Sequence, residues 1–143
     1  MFINRNTGDG SAYGYILYSE FVWSFRRRHC ADLAGFFAPA GSLRLVDPSG
    51  AAIAEAHGRT GVESLVRSIH ENVQFLDFTT YRLCWIAGRI EYDWSAVARN
   101  WGTGPAMEIG GGVHLELIGG SIQRADLTLA RRTYDMLMSP GRC

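Results

Sequence analysis

Apolar positions in the first third of the chain recur at helical spacing. In YILYSEFVWSFRRRHC they fall at 16, 17, 21, 22 and 25, and Arg26, Arg27 and Arg28 close the run. An apolar stripe ending in cations predicts an amphipathic helix, because the helix dipole favours positive charge in the last turn. ADLAGFFA predicts a second, short helix, with Asp32 as its cap and Pro39 as its end. SLRLVD alternates and predicts the first strand, running into Asp47. PSGAAIAEAHGRTG reads as a loop. VESLVRSIHENV then places apolar residues at 62, 65, 66 and 69, again helical spacing.

The pattern changes after residue 77. FTTYRLCWIAGRIEYDWSAVAR is rich in β-branched and aromatic residues and predicts two strands meeting near Ala87, Gly88 and Arg89. AMEIGGGVHLELIGGSIQRADLTLA predicts a second hairpin turning at Gly119 and Gly120. Its glycines at 110 to 112 predict a bulge or a sharp bend in a curved sheet. RRTYDMLM predicts a last helical turn. Residues 1–14 read as a polar, mobile tail, and residues 15–143 as one domain. Helices early and strands late predict an α+β domain, with a bent antiparallel sheet wrapped over helices around a cone-shaped space. Such a space is either filled by side chains or open to a ligand.

Composition narrows the function. The chain has 143 residues, 47% hydrophobic and 20% charged, with 14 basic residues balancing 14 acidic ones. A neutral globular domain offers no nucleic-acid or membrane surface, and the short Arg26 to Arg28 run reads as a solvated helix face. Three cysteines without paired spacing argue against a disulfide framework or a zinc site. No apolar run is long enough to span a bilayer, and the first residues lack the apolar core of a secretion signal, so a cytoplasmic location is expected. The four histidines show no ligand spacing, no nucleophile elbow is present, and GDGSAYG follows no strand, so metal, Ser-His-Asp and nucleotide schemes find no support.

Three segments, ADLAGFFAPAGSLRLVDPSG, HGRTGVESLV and GGGVHLELIGGSIQRAD, in this order and spacing, resemble the nuclear transport factor 2-like superfamily and its SnoaL-like and ketosteroid-isomerase-like branch. The resemblance spans roughly residues 15 to 135 and implies the cone-shaped, cystatin-like α+β fold with an apolar pocket. It implies that Asp47, heading Asp47-Pro48-Ser49-Gly50, is the general base that moves a proton next to a carbonyl. A carboxylate at the mouth of an apolar pocket is poorly solvated and becomes a better base. The alternative is that Asp47 only starts a turn.

The resemblance also implies two oxyanion donors, a Tyr and an acid. The place of the Tyr falls at about Ser24, with Phe21 and Trp23 nearby, and the place of the acid falls at Val113, so both donors are missing. Alternation puts Val113 and Leu115 toward the cavity with Tyr92 and Trp94, and His114 outward. A one-residue bulge at the glycines would turn His114 inward, as a partner for Asp47 in catalysis. Two functions follow. One is cofactor-independent proton transfer on a small hydrophobic carbonyl or polycyclic substrate, by Asp47 with His114 and with Phe21, Trp23, Ser24, Tyr92, Trp94, Val113 and Leu115 around the ligand. The other is a non-catalytic ligand-binding or dimeric interaction module of the same fold. A homodimer is expected through the outer sheet face.

Overall fold

The computed structural model describes residues 11–86, 88–101, 104–131 and 133. Ten of the 14 residues of the expected N-terminal tail, at 1–10, and most of the expected last turn, at 132 and 134–138, lie outside them. The first helix, α1, covers Ser11–Arg26, so the last four residues of the expected tail are helical. α2 (Cys30–Gly35) follows, then β1 (Phe37–Val46), β2 (Ala52–His57), α3 (Gly58–Asn72), β3 (Val73–Ile86), β4 (Arg89–Asn100), β5 (Met107–Ile118) and β6 (Ser121–Leu129). The architecture is α+β, with the helices against a curved, unclosed six-stranded sheet of order β2-β1-β6-β5-β4-β3. All neighbours are antiparallel except β1 and β6.

Several expected boundaries move. Pro39 does not merely end a helix, because α2 has already stopped at Gly35 and Pro39 lies inside β1. The β1–β6 register shifts between Phe37 and Ser42, so the missing Pro39 N–H falls where the ladder is interrupted. Asp32 makes no capping hydrogen bond and instead lies 3.6 Å from His29. The expected loop before α3 contains β2, which pairs with β1 from Ser42↔His57 to Val46↔Ala52. Three of its six residues are alanine, a weak strand former, so only the hairpin pairing defines it.

Alternation on β4 and β5 sorts the sheet into two faces. Ile90, Tyr92, Trp94, Ala96 and Ala98 are buried, whereas Arg89 and Glu91 face water. Opposite them, Leu115 pairs with Ile90, Val113 with Tyr92, Gly111 with Trp94 and Ile109 with Ala96. Leu17 on α1, Leu33 on α2 and Val62 on α3 pack with Phe37, Ile90, Leu115 and Ile122 into the main core. Each such side chain contributes about 1.5–3 kcal/mol by leaving water.

The β4–β5 register runs from Arg89↔Glu116 to Ala98↔Met107 without a break, so Gly110 to Gly112 form no bulge. The glycines serve close approach instead. A methyl group on Gly111 would sit 1.9 Å from the Thr128 carbonyl oxygen, and one on Gly110 2.8 Å from the Trp94 carbonyl oxygen. At the other edge, β3 pairs with β4 through two register shifts, between Phe75 and Asp77 and between Tyr81 and Cys84. Arg82, inside the second, has a φ of 56°.

Candidate ligand-binding site

The inner face of β4 meets residues of all three helices around a cavity of about 60 Å³. One water needs about 10–15 Å³ of such space, so the cavity has room for a small ring but not for a polycycle. Phe21, Val22 and Phe25 come from α1, Val66 and Ile69 from α3, Phe75 and Phe78 from β3, Tyr92 and Trp94 from β4, and Ile109 and Val113 from β5. Thr133 lines one part of the wall, its Oγ1 donating to the Gly110 carbonyl at 2.7 Å and accepting from the Gly110 N–H at 2.8 Å.

Trp94 dominates the wall. Its ring is 3% exposed and stacks on Phe78 at 5.5 Å and 14°. Its Nε1–H is buried and has no partner among the described residues. Gly111 lies beside that N–H, where a Cβ would approach it to 3.1 Å, so no side chain there shields it. Tyr92 is buried next to it, and burial, followed by the neighbouring Tyr18, pushes its phenol well up, which keeps the hydroxyl protonated. Tyr18 meets Tyr92 edge-on at 5.0 Å and shares a hydrogen bond with Thr80.

The other expected site residues fall elsewhere. Leu115 is fully buried in the main core and does not line the cavity. Trp23 is 46% exposed on the far side of α1, stacked by Arg27. Ser24 is buried under the end of the helix, where its carbonyl accepts the His29 N–H. His114 does not turn inward, since no bulge reverses the alternation. It lies on the outer face, with Nδ1 2.8 Å from Glu91 and Nε2 3.3 Å from Glu116. That pair belongs to a charged band across the sheet. Next to it, Arg44 donates to both Asp126 oxygens, at 2.8 and 3.3 Å. Asp126 borders the cavity between Ala125 and Leu127, yet its carboxylate is committed to Arg44.

Asp47 is outside the cavity wall as well. One of its oxygens, Oδ1, accepts the Ser49 N–H at 2.8 Å, the Ser49 hydroxyl and the Ala51 N–H at 3.0 Å. Its backbone closes the same turn, with Asp47 N–H to the Ala51 carbonyl at 2.8 Å and Gly50, at φ 97°, donating back to Asp47. These bonds, the Ser49 hydroxyl first, hold the carboxyl below the usual carboxylate range, which weakens it as a base. An Asp47→Asn chain is therefore expected to bind cavity ligands as the parent does. Its effect is local: the Ser49 and Ala51 amides exchange faster, read by hydrogen exchange.

Sequence reasoning missed Phe25, Phe78 and His70. Periodicity marks Phe25 as apolar, but only the long β3 brings Phe75 and Phe78 against it. His70, on α3, is 5% exposed. Burial, then the positive Arg28, pulls its pKa from 6.5 down to about 4, against a raising hydrogen bond to the Phe25 carbonyl. The unfolded chain takes up this proton near pH 6.5 and the folded chain only near pH 4, so stability falls as pH drops through that window. Each unit of pKa depression is worth about 1.4 kcal/mol, so the total is on the order of a few kcal/mol. Urea midpoints between pH 7.5 and 4.5 check this, and a His70→Gln chain is expected to show a shallower decline.

No family model matches the chain, and no curated protein matches it. Solved structures do. A protein with a ketosteroid isomerase-like fold from Catenulispora acidiphila DSM 44928, solved with trimethylamine, is similar at 13% identity and a TM-score of 0.66, covering 78% of this chain and 82% of that one. A cystatin-fold protein from Novosphingobium aromaticivorans is similar at 6% identity and a TM-score of 0.62, covering 78% and 93%. The fold is nuclear transport factor 2-like. An LEH-like epoxide hydrolase from M. tuberculosis shares it at 9% identity and a TM-score of 0.68, covering 89% of this chain and 90% of that one. At such identities the likeness is one of fold, and a nuclear transport factor 2-like fold hosts unrelated functions. Among the described residues no helix is long and apolar enough to cross a membrane, and no cluster of His, Cys, Asp or Glu could hold a metal ion.

Proposed function

We propose that this chain is a binding module for a small, largely apolar molecule carrying one hydrogen-bond acceptor, such as a cyclic ketone. The observation that carries this reading is the indole N–H of Trp94, a residue that lines the cavity, buried without a partner among the described residues. An unpaired buried donor costs about 1–3 kcal/mol, and a ligand oxygen would remove that cost. Phe21, Phe78, Val113 and the Tyr92 ring supply the apolar surround.

This reading is favoured over proton transfer by Asp47. That role would require the carboxylate to abandon three hydrogen bonds within its own turn and reach a cavity it does not line. The test compares cyclohexanone with methylcyclohexane on the parent and on a Trp94→Phe chain. A carbonyl preference that depends on Trp94 supports the reading, and the absence of binding by either compound overturns it.

A further inference from the structure

The cavity has a neighbour of opposite character. At the C-terminal end of α1 lies a second pocket of about 240 Å³, lined by Arg26, Arg28, His70, Gln74, Asp77 and Trp101. Phe25, Phe75 and Phe78 line both spaces and form the partition between them. Its three rings pack on one another, with centroids 5.2, 5.4 and 6.1 Å apart. Phe25 lies 4.5 Å from the His70 ring on one side, and Phe78 stacks on Trp94 on the other.

Two features make the second pocket more than a dent. The first is His70. Its Nε2 is buried and finds no partner among the described residues. An unpaired ring nitrogen thus belongs to a residue of the pocket wall. The second is charge. Arg26 and Arg28 have no carboxylate partner among the described residues, and Arg28 is held over the Trp101 ring at 5.3 Å. The Trp101 indole donates to the His70 backbone carbonyl at 2.7 Å, which ties this wall to α3. The opposing charge is Asp77, whose Oδ1 accepts the Phe78 N–H at 2.9 Å. Two cations thus line the pocket with one carboxylate, beside a ring nitrogen that lacks a partner.

Arginines call for an anion, and a bare imidazole nitrogen calls for a hydroxyl. We propose that this pocket binds the carboxylate and adjacent hydroxyl of a small hydroxy acid, whose apolar end rests on the pocket side of Phe25, Phe75 and Phe78. The site is separate from the cavity, so the inference goes beyond the proposed function. The carboxylate lies against Arg26 and Arg28, the hydroxyl meets His70 Nε2, and a single ring lies on the phenylalanines.

The test is calorimetric titration of the full chain with 3-phenyllactate, 3-phenylpropanoate and cyclohexanone, repeated on an Arg26→Gln/Arg28→Gln chain. Both arginines are exposed, so the variant is expected to fold. Phenyllactate is expected to bind about tenfold more weakly to the variant, to lose affinity as salt is raised, and to bind the parent several-fold more tightly than phenylpropanoate. Cyclohexanone is expected to bind both chains alike. Ketone binding without phenyllactate binding overturns this inference and leaves the cavity reading intact. Phenyllactate binding that is indifferent to the arginines or to its hydroxyl also overturns it. Binding of neither compound overturns both.

Discussion

Gly111→Ala is expected to leave little folded protein. The added methyl group would sit 1.9 Å from the Thr128 carbonyl oxygen, 3.0 Å from its carbonyl carbon and 3.1 Å from Trp94 Nε1. Two of these three neighbours are backbone, so no rotamer change relieves the clash. β6 must move away from β5, which breaks the pairs Gly111↔Leu129 and Gly112↔Thr128. Overpacking in a core commonly costs about 1–3 kcal/mol, and a backbone-on-backbone clash exceeds that range. A loss of about 4 kcal/mol or more is a large part of the ~5–15 kcal/mol that holds a domain together. Gly112→Ala is the control. Its nearest contacts would be Asp93 Oδ1 at 3.4 Å and the Tyr92 carbonyl oxygen at 3.8 Å, so a change within about 1 kcal/mol is expected. Urea midpoints of the two variants decide the matter, and equal midpoints would refute the close-approach account.

Trp94→Phe is expected to separate ligand recognition from stability. Phenylalanine keeps a ring on Phe78 but removes the indole N–H. Relief of the unpaired donor, worth about 1–3 kcal/mol, opposes the roughly 1 kcal/mol lost to the smaller ring. Free-chain stability should therefore stay within about 1 kcal/mol of the parent or rise above it. Cyclohexanone affinity is expected to fall about tenfold, the worth of one buried hydrogen bond, while methylcyclohexane affinity changes less than twofold. Calorimetry on the same two samples checks both quantities. Equal losses for the two ligands would mean that Trp94 acts through shape alone.

The fold was legible in the sequence because its longest elements are strongly periodic. The apolar stripe of α1, the 62, 65, 66, 69 spacing of α3 and the alternation of β4 each point to one face. β2 was not legible, since alanine-rich residues become a strand only when β1 lies beside them. The site was legible in part. Tyr92, Trp94, Phe21 and Val113 share the cavity because alternation and helix spacing are local properties. Asp47 shows the limit of that reasoning. Asp47-Pro48-Ser49-Gly50 carries both a base pattern and a turn pattern, and only the hydrogen bonds from Ser49 and Ala51 distinguish them. His70 was opaque for another reason: its significance is an unmet hydrogen bond, which depends on three elements meeting.

The irregularities of β3 bear on how copies of this chain meet. Among the described residues β3 and β2 are the margins of an open sheet, and β3 is the longer, with 14 residues. A straight margin of that length would template another chain through its unpaired amides and carbonyls. Two register shifts and the left-handed backbone of Arg82 interrupt it, so a second chain can match its ladder only in short segments. The same kinks that interrupt the pairing of β3 thereby weigh against edge-to-edge polymerisation.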